Sequence, residues 1–167
     1  MRQILQKITY PEALLLAVLF AAVTVLAGLD VRSIESGDEL RVAGISAEIA
    51  LEGNALVPRL NGEPFLEYPP LYYWMSAAAC RIFGIHEFAV KLPSALAAIG
   101  CALLVALFAR KLKYPPWAAL LAAVMLCTGA QFFGNSRKCM VDALLAFFIL
   151  RNIPVVPFSY LSPDTFL

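Results

Sequence analysis

Asp38, Glu39 and Arg41, in the run GDELR, are the first place in this sequence where chemistry is readable. Adjacent carboxylates can accept a proton or offer hard oxygen ligands to a metal. Ser36 and Glu39 have the S-x-x-E spacing of a capping box, so a helix is predicted to start there. Asp38 then falls in its first turn, where free amide N–H groups and the helix dipole favour a carboxylate. The competing reading is plain: a run of charges is also what a solvated helix face looks like.

The elements that must hold these residues follow from local pattern. Val42, Ile45 and Ile49 fall on one side of the predicted helix, and Arg41, Glu48 and Glu52 share another stripe. Gly53-Asn54 is a C-terminal stop. Pro58, Asn61-Gly62 and Pro64 punctuate the next stretch as a short hairpin or irregular crossing. Pro69-Pro70 launches a second helix, Leu71 to Phe83. There Leu71, Trp74, Met75, Ala78, Ala79 and Ile82 recur on one apolar face. About 13 residues cannot cross a bilayer. Tyr72, Tyr73 and Trp74 suit the headgroup level, although an aromatic stripe serves packing more often than sugar binding. Two interfacial helices joined by a turn-rich strip are the expected result.

Around this loop the chain is greasy. Of its 167 residues 61% are hydrophobic and 15% charged, with mean hydropathy +0.77. A soluble domain carries about a quarter charged residues, so an all-α, polytopic transmembrane protein is expected. Spans are predicted at about 11–29, 92–108 and 117–133, with a fourth segment at 140–150 too short to cross. The N-terminal run is longer than a signal-peptide core and its cleavage signal is weak. The loop 30–91 carries nine acids and five bases, whereas 110–114 carries three bases and no acid. That asymmetry puts the loop outside and the basic turn inside. Arg137 and Lys138, in the turn after the third span, go mildly against the rule. Pro93 is expected in the first turn of the second span. The tail 151–167 has three prolines and no helical period, as in a truncated or frameshifted chain. The net charge of +1 argues against a nucleic-acid partner. Four cysteines without CxxC spacing and a single histidine, His86, give no zinc or disulfide framework. Cys80 and Cys139 are the two that could face an oxidising exterior.

The runs GDELR, LVPRLNGEPFLEYPPLYYW and EFAVKLPSALAAIG resemble the first outside loop and second span of the dolichyl-phosphate-mannose protein mannosyltransferase superfamily. The branch they look most like is the bacterial aminoarabinose transferases of lipid A. The likeness covers about residues 11–148, with several motifs in order. It implies the N-terminal part of a membrane glycosyltransferase of the GT-C type, over residues 1–150. It also implies transfer of a sugar from a polyprenyl-phosphate carrier to lipid A, another glycan or a protein, outside the inner membrane. By the same resemblance Asp38 matches the catalytic acid, with Glu39 and Arg41 as its companions. Glu67 matches the glutamate of the strip before two prolines, implicated in metal or donor-phosphate contact. Asp142 matches a second acidic position, and Arg137 before it is placed to face a phosphate. Tyr68 departs from the aminoarabinose branch, which usually has lysine there. A tyrosine cannot neutralise a phosphate, so the wider family is carried more firmly than the lipid A branch.

The chemistry asks for these residue types. A sugar leaves a lipid phosphate more easily when a cation offsets the charge. Asp38, Glu67 and Asp142 are the oxygen donors expected to suit Mg or Mn. A positioned base on the acceptor hydroxyl is worth about 10²–10⁴-fold, and attack opposite the phosphate inverts the anomeric centre. No Gly-rich cradle supports a nucleotide-sugar donor. Two other readings stand beside this one. The first is an inactive fragment that lacks later spans. The second is a small transporter or adaptor, which predicts acids inside the spans, whereas the acids here cluster in the loop.

Overall fold

The computed structural model describes residues 8–153. It is mostly helical. In chain order the elements are α1 (Tyr10–Leu26), α2 (Gly37–Glu52), β1 (Arg59–Leu60), β2 (Glu63–Pro64), α3 (Leu71–Phe83), α4 (Glu87–Lys111), α5 (Pro116–Thr128), α6 (Ala130–Ser136) and α7 (Asp142–Asn152). Residues 1–7 and most of the proline-rich tail expected at 151–167 lie outside the described part.

Helix α4 is the axis, packing against α1, α3, α5 and α7. It has 25 residues, about 37 Å at the helical rise. Among the described residues it is the one helix long and apolar enough to cross a bilayer unaided. Its start differs from expectation. His86 caps the N-terminus, its Nδ1 accepting the Ala89 N–H, and the helix begins at Glu87. Pro93 therefore lies inside the helix rather than in its first turn. Hydropathy alone starts a span at the apolar run, past the polar first turns that carry Glu87 and Lys91.

The other expected spans are shorter or broken. Helix α1 has 17 residues and stops at Leu26, because Gly28 takes a left-handed turn at φ +64°. The third run is bent by 71° between α5 and α6, where Gly129 adopts extended backbone. It forms a second crossing only if the bent pair counts as one span.

Small residues let these helices approach closely. Ala17 and Ala21 of α1 meet Ala102 and Ala106 of α4 and Ala119 and Ala123 of α5 in one buried cluster. The tightest approach is at Gly100, where an added Cβ would lie 2.6 Å from the Phe147 ring of α7.

The loop folds as a second layer. Val42, Ile45 and Ile49 of α2 are buried against Tyr72, Tyr73, Ala77 and Cys80 of α3. Gly53 ends α2 at φ +77°, and Arg81 donates to the Ile49 and Ala50 carbonyls at that end. A two-stranded hairpin pairs Leu60 with Glu63 through a turn in which Asn61 and Gly62 both have positive φ. The apolar stripe predicted on α3 faces mostly outward: Leu71, Trp74, Ala78 and Ile82 are exposed. The side that packs inward carries Tyr72, Tyr73, Ser76, Ala77 and Cys80. Trp74 donates its indole N–H to Ala55 O at 2.7 Å, which fixes the strip before the hairpin.

Candidate functional site

Asp38 sits in the first turn of α2, as the capping pattern predicts. Ser36 is the N-cap, its Oγ accepting the Glu39 N–H at 3.2 Å. The Asp38 side chain is half exposed and pairs with Arg41 one turn on. The other side of that guanidinium lies 3.8 Å from Glu67, on the strip before Pro69-Pro70. Arg41 therefore bridges the two carboxylates across the gap between α2 and the strip. Both pairs are open to solvent, where such contacts are worth about 0–1 kcal/mol. A competing anion can exchange into this pairing at little cost.

The neighbouring glutamate behaves differently. Glu39 is fully buried. Its carboxylate takes a two-pronged pair from Arg32, at 2.9 and 2.6 Å, and the Cys139 backbone N–H at 3.1 Å. Burial alone would raise its carboxyl, but Arg32, Cys139 and Ser36 outweigh that and hold it below the ordinary value. Glu39 has no free oxygen for a substrate. This corrects the expectation that it contacts donor or acceptor: the helical periodicity turns it inward while Asp38, one residue earlier, points out.

Arg137 is likewise committed. Its guanidinium donates to the carbonyls of Thr24, Ala27 and Gly28 at 3.3, 2.8 and 2.6 Å and lies over the Phe133 ring. It satisfies the orphan carbonyls at the end of α1 instead of facing a phosphate. Lys91, fully buried, meets the Leu29 and Arg32 carbonyls and the Glu87 carboxylate from the other side. Arg137 thus ties the turn before α7 to the end of α1, and Lys91 ties α4 to the segment just after it, roles that a count of charges along the chain does not reveal.

Asp142 opens α7 and is exposed. The turn leading to it is held from behind. Ser94 donates to Met140 O at 2.8 Å, and the Tyr72 hydroxyl is 2.8 Å from Ser94 Oγ. Cys139 Sγ–H donates to Val90 O at 3.4 Å. Burial pushes the Cys139 thiol up to about 12 and the Tyr73 hydroxyl likewise to about 12. Cys80 and Cys139 are buried and free, not outward-facing. Among the described residues no three His, Cys, Asp or Glu side chains lie together as a metal cage. The Arg41 guanidinium lies between Asp38 and Glu67, two of the three oxygen donors expected for Mg or Mn.

Helical hydrophobic packing topped by an acid-bearing loop defines the class. The sequence matches the dolichyl-phosphate-mannose-protein mannosyltransferase family over residues 15–154. The chain belongs to that family of glycosyltransferases. Among its relatives, an undecaprenyl phosphate-alpha-4-amino-4-deoxy-L-arabinose arabinosyl transferase from Erwinia tasmaniensis is 31% identical over 141 residues, covering 84% of this chain and 26% of the relative. The Proteus mirabilis transferase 2 of the same description is 32% identical over 141 residues, covering 84% and 25%. The crystal structure of ArnT from Cupriavidus metallidurans bound to undecaprenyl phosphate superposes with a TM-score of 0.75 at 26% identity, over 81% of this chain and 25% of that one. The chain therefore spans about a quarter of the length of the relatives it matches.

Proposed function

We propose that this chain is the acid-bearing N-terminal part of an inner-membrane glycosyltransferase. It moves a sugar from a polyprenyl phosphate, such as undecaprenyl phosphate, to a lipid A, glycan or protein acceptor on the extracytoplasmic side. The observation that carries the reading is the exposed Asp38, joined through Arg41 to Glu67. Charge distribution supports the orientation. The basic turn at Arg110–Lys113 meets the start of α1, where Arg110 lies over the Tyr10 ring, at the end of the bundle opposite the acidic loop. The exposed Leu71, Trp74 and Ile82 of α3 form a face suited to lie in the headgroup layer.

In this mechanism the sugar phosphate draws the Arg41 guanidinium, whose contacts to Asp38 and Glu67 are weak enough to yield. The departing phosphate keeps that cation, which offsets the charge developing as the glycosidic bond breaks. Asp38, released, accepts the proton of the attacking acceptor hydroxyl. The C–O bond forms on the face opposite the phosphate, so the anomeric configuration inverts. Arg41 supplies here the cation that Tyr68 cannot.

The test is transfer of a labelled sugar from its polyprenyl phosphate in membranes carrying the chain. Asp38→Asn is expected to lower the rate by about 10²-fold or more, and full activity in that variant removes Asp38 from the mechanism. Running the assay with and without EDTA tests the Mg or Mn expectation. The exposed, weakly paired Arg41 favours one second reading, a segment that binds carrier without turning it over. Undecaprenyl phosphate binding that Arg41→Gln abolishes, with no product formed, supports it.

A further inference from the structure

We infer that Glu39 is a positioning residue, which together with Arg32 sets the separation between the Asp38 helix and the Asp142 helix. This rests on the reading of Asp38 and Asp142 as site residues and adds a role for the acid between them. Glu39 is the one side chain in the described loop that bonds at once to its own element, to the segment before it and to the turn before α7. Its Oε2 meets Ser36 and Arg32, and its Oε1 meets Arg32 and the Cys139 N–H. Ser36 caps the helix that begins at Gly37, and Cys139 lies three residues before Asp142. One carboxylate therefore joins the N-termini of two helices that each present an exposed aspartate.

The hub is over-determined in a way that a merely space-filling group is not. Arg32, the partner, is itself anchored, because its backbone carbonyl accepts from the buried Lys91 of α4. Cys139 is anchored a second time through its thiol on Val90 O of the same helix. Both arms of the clamp thus end on α4, the rigid axis of the fold, and Glu39 closes the loop between them. An aspartate is one methylene shorter and cannot reach both arms. Glutamine keeps an acceptor for the Cys139 N–H but loses the charge that matches Arg32.

Two measurements decide it. Spin labels on Leu40→Cys and Leu145→Cys, exposed positions on α2 and α7, report the inter-helix distance; the four native cysteines are buried. A narrow distribution is expected in the otherwise native chain and in Asp38→Asn. It is expected to broaden in Glu39→Gln and in Arg32→Gln, with Arg32→Lys intermediate. In the sugar-transfer assay, Glu39→Gln is expected to lower kcat by about 10²-fold through misplacement, with KM for the carrier changed less than about threefold. The Glu39→Gln/Arg32→Gln double variant is expected to be no worse than either single. An unchanged distance distribution overturns the proposal whatever the activity, and so does a raised KM with kcat intact, which would make Glu39 a substrate contact. If Asp38→Asn keeps full activity, the reading of the reaction fails, and the distance measurement still judges the clamp.

Discussion

Two adjacent regions of this molecule use the same residue types to opposite ends. On the outer side of α2, Asp38, Arg41 and Glu67 are half exposed, loosely paired and open to solvent. Glu39 on its inner side, and Lys91 and Arg137 by the end of α1, are engaged by three partners each, most of them backbone groups. A charge in water is inexpensive to redirect, whereas a charge out of water is retained only when all its bonds are made. The first region can therefore bind and release, and the second can only hold. The acids of the GDELR run divide between the two regions by one residue of helical rotation.

The comparison can be broken most forcefully on the inner side. Glu39→Ala leaves Arg32 and the Cys139 N–H without their partner and is expected to cost about 3 kcal/mol of stability, read as a lowered melting temperature in detergent. A loss under 1 kcal/mol would place Glu39 in the yielding region instead. Gly100→Val tests the helical bundle beneath both regions. Its side chain must displace the Phe147 ring, so about 1–3 kcal/mol is expected to be lost.

Acid separates the two regions more gently. The Glu39 carboxyl is held below its ordinary value of 4.5 by Arg32 and the Cys139 N–H acting against burial. Its contribution is therefore fully present above about pH 4.5 and is lost as pH falls through the lowered folded value. The melting temperature is expected to decline across that window in the native chain, and Glu39→Gln is expected to lack this component. The smallest effect is expected on the outer side. Arg41→Gln should change stability by no more than about 0.5 kcal/mol while weakening carrier binding. A larger destabilisation would show that the outer pairs are structural as well.

Much of the loop was legible because its signals are local. The Ser36 cap, the Gly53 stop, the Asn61-Gly62 hairpin and the Leu71–Phe83 helix all depend on residues within a few positions of one another, and the structure has each where it was read. The spans were read less well. A hydropathy run does not register that Gly28 and Gly129 break helices, or that polar Glu87 and Lys91 belong to α4. On α3 the apolar stripe is mostly exposed, as an interfacial helix requires, but Tyr72 and Tyr73, expected at the headgroup level, are buried. Tyr72 goes inward because Ser94 and Val90 wait for its hydroxyl, and those partners lie 18 or more positions away.

The sequence by itself determined the helical class, the family and the start of α2 that presents Asp38, since motif order and capping are encoded in neighbouring residues. Only the tertiary structure decided that Glu39 is buried and Asp38 exposed, that Arg137 and Lys91 serve the end of α1, and that Arg41 joins Asp38 to Glu67. Each of those outcomes depends on which partner a charge meets across space. The Glu39 carboxylate, 100 residues from the Cys139 amide it accepts, has no trace of that partner in its own neighbourhood of the chain.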